Sequence, residues 1–369
     1  MAAVGIYSRR HVTSVDGFVL GGRSVGPWLT AFAYGTSYFS AVVFVGYAGQ
    51  FGWKYGIAST WIGIGNALIG SLLAWVVLGR RTKVMTQHLG SRTMPDFFGE
   101  RYKSKSLKIT ASVIVFVFLI PYTASVYNGL SRLFAMAFNI PYTWCVVTMA
   151  AFTALYVILG GYMATAINDF IQGIIMLIGI VAVIAAVLNG QGGFMNAIAE
   201  MAKIPSDVPL TQGQPGAFTS FFGPDPVNLL GVVLLTSLGT WGLPQMIGKF
   251  YAIKDEKSIS TGTIISTIFA IIISGGCYFL GGFGRLFDSP EIYDKAGGAV
   301  VYDSIIPHML SMLPDLLIGV VVVLVLSASM STLSSLVLTS SSTLTLDLLK
   351  DNIMEKNERE KADCDNAGF

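Results

Sequence analysis

The sequence is poor in charged residues. It contains 23 Lys or Arg and 21 Asp or Glu among 369 residues, so that 12% of the chain is charged. A soluble globular domain carries roughly 25% charged residues. So little charge cannot cover the surface of a soluble protein of this length, which excludes an ordinary soluble enzyme.

Charge is absent in long blocks. Eight stretches without Asp, Glu, Lys or Arg hold 222 residues, about 60% of the chain. Each is longer than the ~20 residues that a helix needs to cross a bilayer, and a barrel strand would alternate over about 10 residues. The sequence therefore predicts an all-α membrane protein with eight transmembrane helices. The uncharged stretches are residues 27–53, 55–79, 109–131, 133–168, 170–199, 226–248, 258–284 and 316–346.

Cysteine is also scarce. Cys145 and Cys277 lie in apolar stretches and Cys364 lies near the end of the chain, so their spacing excludes a cysteine metal or redox centre. The net charge is +2 and the basic residues form no continuous stripe, so no nucleic-acid partner is expected. No motif indicates a protein partner either. We expect the lipid bilayer to surround the predicted helices.

The basic residues predict the orientation. If the N-terminus is cytoplasmic and each stretch crosses once, 18 Lys and Arg residues lie inside and 5 lie outside. Cytoplasmic loops carry the excess of Lys and Arg. We therefore expect a multi-pass protein of the plasma membrane with both termini in the cytoplasm.

Two of the predicted spans are interrupted. The first contains Gly35 and the hydroxyls of Thr36, Ser37 and Ser40, which favour either unwound backbone around a cavity or close helix packing. The sixth contains Gly239, Gly242 and Pro244, and Pro244 removes a helix hydrogen bond. Interrupted helices five spans apart are typical of inverted-repeat transporters, whose sites lie at the breaks.

The eighth span carries a stripe of hydroxyls. Ser327, Ser331, Ser334 and Ser335 share one helix face, with Thr332 beside it. Such hydroxyls can bond to carbonyls of their own helix, or they can bind a desolvated alkali cation, which prefers oxygen ligands. In an inverted repeat in which helix 6 corresponds to helix 1, helix 8 corresponds to helix 3. We therefore expect the hydroxyl stripe of helix 8 to lie beside the break in helix 1.

Asp169 is the one acid between the fourth and fifth spans. It stands between two long uncharged stretches with no basic residue nearby in sequence. One interpretation is an N-cap that opens the fifth helix. The other is a cation relay that faces the helix bundle.

Four motifs in this order resemble the sodium:solute symporter family, which includes proline, pantothenate, sugar and sialic-acid carriers. They cover about residues 5–350. The resemblance implies a LeuT-type fold of two inverted five-helix repeats and solute uptake coupled to sodium. The motifs are residues 18–24, Gly160 to Gln172, Trp241 to Gln245 followed by Lys254 and Asp255, and Met330 to Ser335 followed by Asp347 to Lys350.

The resemblance also implies ligands for sodium. The main site takes the carbonyls of Thr36, Phe39 and Ala328 and the hydroxyls of Ser331 and Thr332, in agreement with the hydroxyl stripe. A second sodium site, or the exit route of the ion, corresponds to Asp169, Ser331, Ser334 and Ser335.

The solute pocket is expected between the two breaks. Aromatic walls with few polar groups suit a small organic solute, although Trp241 could instead anchor the helix at the interface. Proline carriers have an acid where this chain has Tyr38, which argues against a simple proline carrier. The predicted pocket residues are Tyr38, Ser40, Tyr127, Asn128, Thr240, Trp241 and Gln245.

The chain departs from the family at its ends. Residues 1–26 and 350–369 are predicted to be polar cytoplasmic segments around a transmembrane domain of residues 27–349. A first repeat covers about 27–189, and a second, incomplete repeat covers about 227–349. The sequence is thus expected to be truncated at both ends relative to the complete carrier.

Sodium-coupled symport of a small organic solute by alternating access is the predicted function. Two alternatives remain at the level of sequence. One is a membrane sensor or scaffold module that does not transport, and the other is an inactive fragment of a symporter.

Overall fold

The computed structural model describes residues 2–9, 14–138, 141–294 and 298–354. Within these ranges the side chains of 2, 131–133, 135–138, 142 and 350–354 are not described. The predicted turn at Asn139 and Ile140, Lys295, most of the polar tail and Cys364 lie outside the described residues. The described chain contains helices and two isolated β-bridges but no β-strand.

Fourteen helices follow one another along the described chain. Their bounds are α1 Ala2–Ser8, α2 Val15–Leu20, α3 Pro27–Tyr38, α4 42–55, α5 60–89, α6 Met94–Tyr102, α7 Lys105–Phe138, α8 Tyr142–Gly190, α9 Phe194–Lys203, α10 Pro226–Gly239, α11 Pro244–Ala252, α12 Glu256–Gly281, α13 Tyr302–Ser311 and α14 Asp315–Ser342, which continues as a wider helix over Thr343–Met354.

Within the described residues, five helices are long and apolar enough to cross a membrane, or six if one bent pair counts as a single span. The bent pair is α10 with α11, which meet at an angle of 53°. Two of the five, Val42–Leu89 and Thr143–Gly190, are 48 residues long. Each contains a glycine with positive φ, Gly56 (φ 60°) and Gly161 (φ 53°), a conformation that breaks a helix.

Large apolar side chains remain exposed along the long helices. Phe118 on α7 is 69% exposed, Ile158 on α8 is 71% exposed and Leu235 on α10 is 73% exposed. Apolar surface of this kind is stable in contact with lipid rather than water. The pattern agrees with the membrane location predicted from composition.

The centre of the bundle is formed by α3, α8, α12 and α14. Phe32 of α3 packs against Phe170 of α8 (ring centroids 4.7 Å apart) and Phe269 of α12 (5.3 Å). Gly35 lies against Phe269, where a Cβ atom would come within 2.4 Å of the ring. Gly35 is therefore part of α3 and serves close helix packing, and the interruption of the first span lies after it, at residues 39–40.

Backbone hydrogen bonds join the start of α3 to the end of α11. Val25 N donates to Ala252 O (3.2 Å), and Lys254 N donates to Val25 O (3.0 Å), which ties the start of α3 to the end of α11. Asp255 caps α12 by accepting from the Ser258 backbone N–H at 2.8 Å, and this hydrogen bond lowers the pKa of Asp255. The two hydrogen bonds of Val25 thus hold the end of α11 to the segment that precedes α3.

We expect Gly52→Ala to destabilise the fold. A Cβ atom at Gly52 in α4 would lie 2.0 Å from the carbonyl oxygen of Gly281 in α12, and backbone cannot move aside as a flexible side chain can. Overpacking costs about 1–3 kcal/mol or more. Thermal unfolding of the purified protein in detergent should show a lower midpoint.

Gly231→Ala is the matched control, because a Cβ atom there would meet nothing within 4 Å. Alanine also favours helix relative to glycine. Equal unfolding midpoints for the two variants would contradict the packing of α4 on α12.

Candidate cation and solute site

The break after α3 places backbone oxygen inside the bundle. α3 ends at Tyr38, Phe39 is extended (φ −101°, ψ 99°), and the chain is helical again from residue 41. Thr36 and Phe39 are buried. Non-helical backbone at membrane depth is stable where it lines a cavity or an ion site.

Two hydroxyls of α14 meet this break. Ser331 Oγ donates to the Thr36 carbonyl oxygen at 3.1 Å and also lies 3.1 Å from the Ala328 carbonyl oxygen. Thr332 Oγ1 lies 3.4 Å from the Thr36 oxygen and 3.0 Å from the Ala328 oxygen. The structure thus brings four of the five predicted main-site residues into one buried cluster, and Phe39 lies at the break beside it.

This cluster suits a hard cation. Two carbonyl and two hydroxyl oxygens carry no formal charge and need no deprotonation, and hard cations prefer such ligands. Ca²⁺, which is similar in size to Na⁺, takes oxygens at about 2.3–2.6 Å, so that neighbouring ligands lie about 3–3.5 Å apart. No group of three or more His, Cys, Asp or Glu residues in the described chain could hold a metal ion instead.

The remaining hydroxyls of the stripe have different partners. Ser334 Oγ donates to the Ser331 carbonyl at 2.9 Å, a bond within its own helix. Ser335 Oγ lies 2.9 Å from Ser37 Oγ, so a second contact joins α14 to α3 beside the break. Ser327 is buried on the same helix face.

Asp169 has a basic partner, which sequence did not show. The Nζ atom of Lys249 lies 3.7 Å from Asp169 Oδ2, and the two side chains are 3% and 0% exposed. Lys249 is one of the 18 basic residues that were predicted to lie on the cytoplasmic side of the membrane, and it is instead buried in the bundle. No basic residue lies near Asp169 in sequence, but this one lies near it in space. Lys249 follows an apolar stretch directly, and the short helix after the break at Pro244 carries it into the bundle.

Asp169 is not an N-cap. It lies within α8, eight residues after the break at Gly161, where a helix cap has no role. Neither carboxylate oxygen has a hydrogen-bond partner among the described residues. The backbone departs from helical geometry at Gly161 (φ 53°, ψ −146°), so the helical segment that contains Asp169 begins earlier than the N-cap interpretation required.

Three of the predicted pocket residues lie together beside α5. Tyr38 Oη donates to the Thr236 carbonyl at 3.2 Å, and Trp241 Nε1 donates to the Ile69 carbonyl at 3.0 Å. Both Tyr38 Oη and Thr240 Oγ1 would lie within 3.5 Å of a Cβ atom added at Gly70. The two broken spans therefore contact each other beside α5.

The other predicted pocket residues lie elsewhere. Ser40 lines a small apolar cavity together with Phe39 and Ala328. Tyr127 packs partly buried in the contact between α7 and α14, and Asn128 is exposed. Gln245 lines a different cavity, and the structure does not enclose these residues in one pocket.

That second cavity lies between α11, α14 and the segment before α6. Lys249, Gln245 and Ser335 line it together with Arg92 and Thr93. In the part of the chain that the structure describes, neither polar atom of the Gln245 side chain has a hydrogen-bond partner.

Asn66 of α5 is a further polar residue that the sequence analysis missed. Its Oδ1 accepts from Thr236 Oγ1 (3.0 Å) and Ser237 Oγ (3.1 Å) on α10, and its Nδ2 donates to Ser274 Oγ (3.3 Å) on α12. An amide within an apolar span was the available signal. Asn66 thus fixes α10, the helix that precedes the second break, to α5.

Known proteins with similar sequences are carriers. The chain is 32% identical over 359 residues to "Sodium/proline symporter 2" of Staphylococcus saprophyticus, a match that covers 94% of this chain and 66% of the relative. It is 31% identical over 361 residues to "Sodium/proline symporter" of Staphylococcus aureus strain JH9, covering 95% and 66%. The chain thus spans about two thirds of the length of these relatives.

Solved structures show the same fold. A Na⁺-coupled sialic acid symporter in a substrate-bound outward-open state superposes with a TM-score of 0.77 over 95% of this chain and 71% of that one, at 15% sequence identity. The model of the sodium:solute symporter family matches residues 18–366. The family comprises transporters rather than enzymes, and this chain, with its apolar helices and broken spans, belongs to the sodium:solute symporter family.

Proposed function

We propose that the complete carrier takes up a small organic solute together with sodium by alternating access. The observation that carries the proposal is the oxygen cluster between α14 and the break after α3. Sodium-dependent transport is the activity for which the similar proteins are named. The sensor or scaffold alternative is not favoured, because neither the family nor the relatives support it.

Sodium binds between two helices in this proposal. Thr36, Ala328, Ser331 and Thr332 supply oxygens from α3 and α14, and the Phe39 carbonyl supplies the fifth. The hydroxyl protons then turn away from the carbonyls, so that oxygen lone pairs face the ion. One ion replaces several weak hydrogen bonds as the link between the two helices.

This link couples sodium to the solute. An ion that holds α14 against the break also fixes the backbone next to Tyr38, one of the proposed solute contacts. The protein with sodium bound, in which the backbone at the break is fixed, then binds the solute more tightly than the sodium-free protein does. The bound solute in turn increases the affinity for sodium. Such reciprocal coupling amounts to about 1–3 kcal/mol.

The solute is proposed to bind where the broken spans face each other. Tyr38, Thr240 and Trp241 meet beside α5, and Ser40, Tyr127, Asn128 and Gln245 complete the proposed set when the helices move. The similar proteins are named for proline and sialic acid, both small organic solutes. Tyr38 replaces the acid of proline carriers, so we do not assign proline itself.

Eight crossings are proposed for this chain. Gly56 and Gly161 divide the two 48-residue helices, α3 with α4 makes the first crossing, and α10 with α11 makes the sixth. Both ends are then cytoplasmic, as the 18-to-5 distribution of Lys and Arg predicts. Residues 27–189 form one repeat, residues 227–349 form part of the second, and 1–26 and 350–369 are cytoplasmic.

Ser331→Ala and Thr332→Ala should each weaken sodium binding. Each variant removes one of about five ligands, and we expect the sodium concentration at half-saturation to rise about tenfold, equivalent to about 1.4 kcal/mol. Binding of radioactive sodium to the purified protein measures this directly and does not require the solute.

Ser329→Ala is the matched control. Ser329 is equally buried on α14, but its hydroxyl bonds to the Val325 carbonyl of its own helix at 2.8 Å. Its sodium half-saturation should stay within twofold of the original. Unchanged half-saturation in both the Ser331 and Thr332 variants would rule out the site.

Single cysteines test the topology. In a Cys364→Ser background, Gln87→Cys and Gln212→Cys place thiols at exposed positions, whereas Cys145 and Cys277 are buried. A membrane-impermeant maleimide added to intact cells should label position 212 and not position 87. Labelling of position 87 alone would reverse the proposed orientation, and labelling of both or neither would contradict the three crossings proposed between them.

A further inference from the structure

Lys249 places a positive charge where the family resemblance implies a second sodium. Its Nζ atom donates to Ser335 Oγ at 3.0 Å and lies 3.7 Å from Asp169 Oδ2. Asp169 and Ser335 are two of the four residues predicted for that second ion. The ammonium group therefore already contacts half of the expected ligands.

The surroundings of Nζ are those of a cation site. Tyr162 presents its ring face 5.2 Å from Nζ, a distance at which a cation is attracted to the aromatic ring. Asp169 is buried, and neither of its oxygens has a hydrogen-bond partner, so its charge depends on a nearby cation. These groups come from α8, α11 and α14, which all meet at this point.

We propose that the ammonium group of Lys249 is the resident cation of this second position, so that the chain binds one sodium rather than two. The proposal rests on the proposed function, because it assumes that the first sodium binds at Ser331 and Thr332. A sodium coordinated by Asp169 and Ser335 would lie within a few ångströms of Nζ. Two like charges so close in a buried site repel strongly, and only one of them can stay.

The cavity beside Lys249 makes this position reachable. Lys249, Ser335 and Gln245 line this cavity. The hydroxyl-bearing residues Thr339 and Ser342 follow on α14 and line the same cavity. The proposal requires that an ion reach Asp169 from this cavity once the ammonium group is removed.

Ser335 also connects the two positions. Its hydroxyl contacts Ser37, the residue next to Thr36, whose carbonyl belongs to the main cluster. A chain of contacts through Ser335 and Ser37 therefore joins Lys249 to the main cluster, although Lys249 supplies no ligand there.

The number of sodium ions bound per chain tests the proposal. Equilibrium binding of radioactive sodium to the purified full chain should give one ion. Lys249→Gln should give two, because Asp169 then recruits a sodium. Lys249→Gln combined with Asp169→Asn should return to one, since neither charge remains, and Lys249→Arg should stay at one.

Ser335→Ala tests the same point with both charges in place. We expect one sodium per chain, because Lys249 rather than sodium contacts the Ser335 hydroxyl. If Lys249→Gln does not fold, this variant together with the count for the original chain can still overturn the proposal. Loss of an ion on Ser335→Ala, with the original chain binding two, would show that sodium uses Ser335 and would overturn the proposal.

The other outcomes are equally distinct. Two ions in the original chain, or one ion in folded Lys249→Gln, would overturn the role of Lys249 and leave the proposed function intact. No sodium bound by the original chain would refute both. Ser329→Ala serves as the reference for an unrelated hydroxyl on α14.

Discussion

The hydroxyls of Ser331 and Thr332 bond to a carbonyl oxygen of Thr36, just before the break that ends α3. An unpartnered carbonyl inside a membrane protein is costly, and these contacts offset that cost. Because the contact joins α14 to α3, the geometry of the break depends on a helix almost 300 residues away in sequence. An ion that strengthens this contact therefore changes the shape of the whole site.

Uncharged oxygen and buried charge have separate roles in this protein. The proposed sodium cluster consists of carbonyls and hydroxyls, whereas Asp169 and Lys249 form a buried pair next to it. A buried pair is expensive to desolvate and very costly to break on one side only. We infer that it persists because it keeps a fixed positive charge beside the ion site, which sets how many ions the site can take.

The membrane class, the broken spans and the α3–α14 contact could be predicted from sequence, because uncharged blocks, Pro244 and hydroxyl spacing are local signals. The structure confirms the bend at α10 and α11. It also shows that Gly35 serves packing against Phe269 rather than the break. The pairing of Lys249 with Asp169 could not be predicted from sequence. Their contact depends on the direction that α11 takes after the break, and the two residues are far apart along the chain. The role of Asn66 was equally hidden, since its partners come from two distant helices.

Thermal unfolding of the purified full chain in sodium chloride and in potassium chloride at equal ionic strength tests the central claim most directly. A ligand that binds only the folded state raises the unfolding midpoint with concentration. The oxygen cluster between α3 and α14 predicts a saturable rise in sodium and a much smaller rise in potassium. The same midpoint in both salts at every concentration would contradict the account.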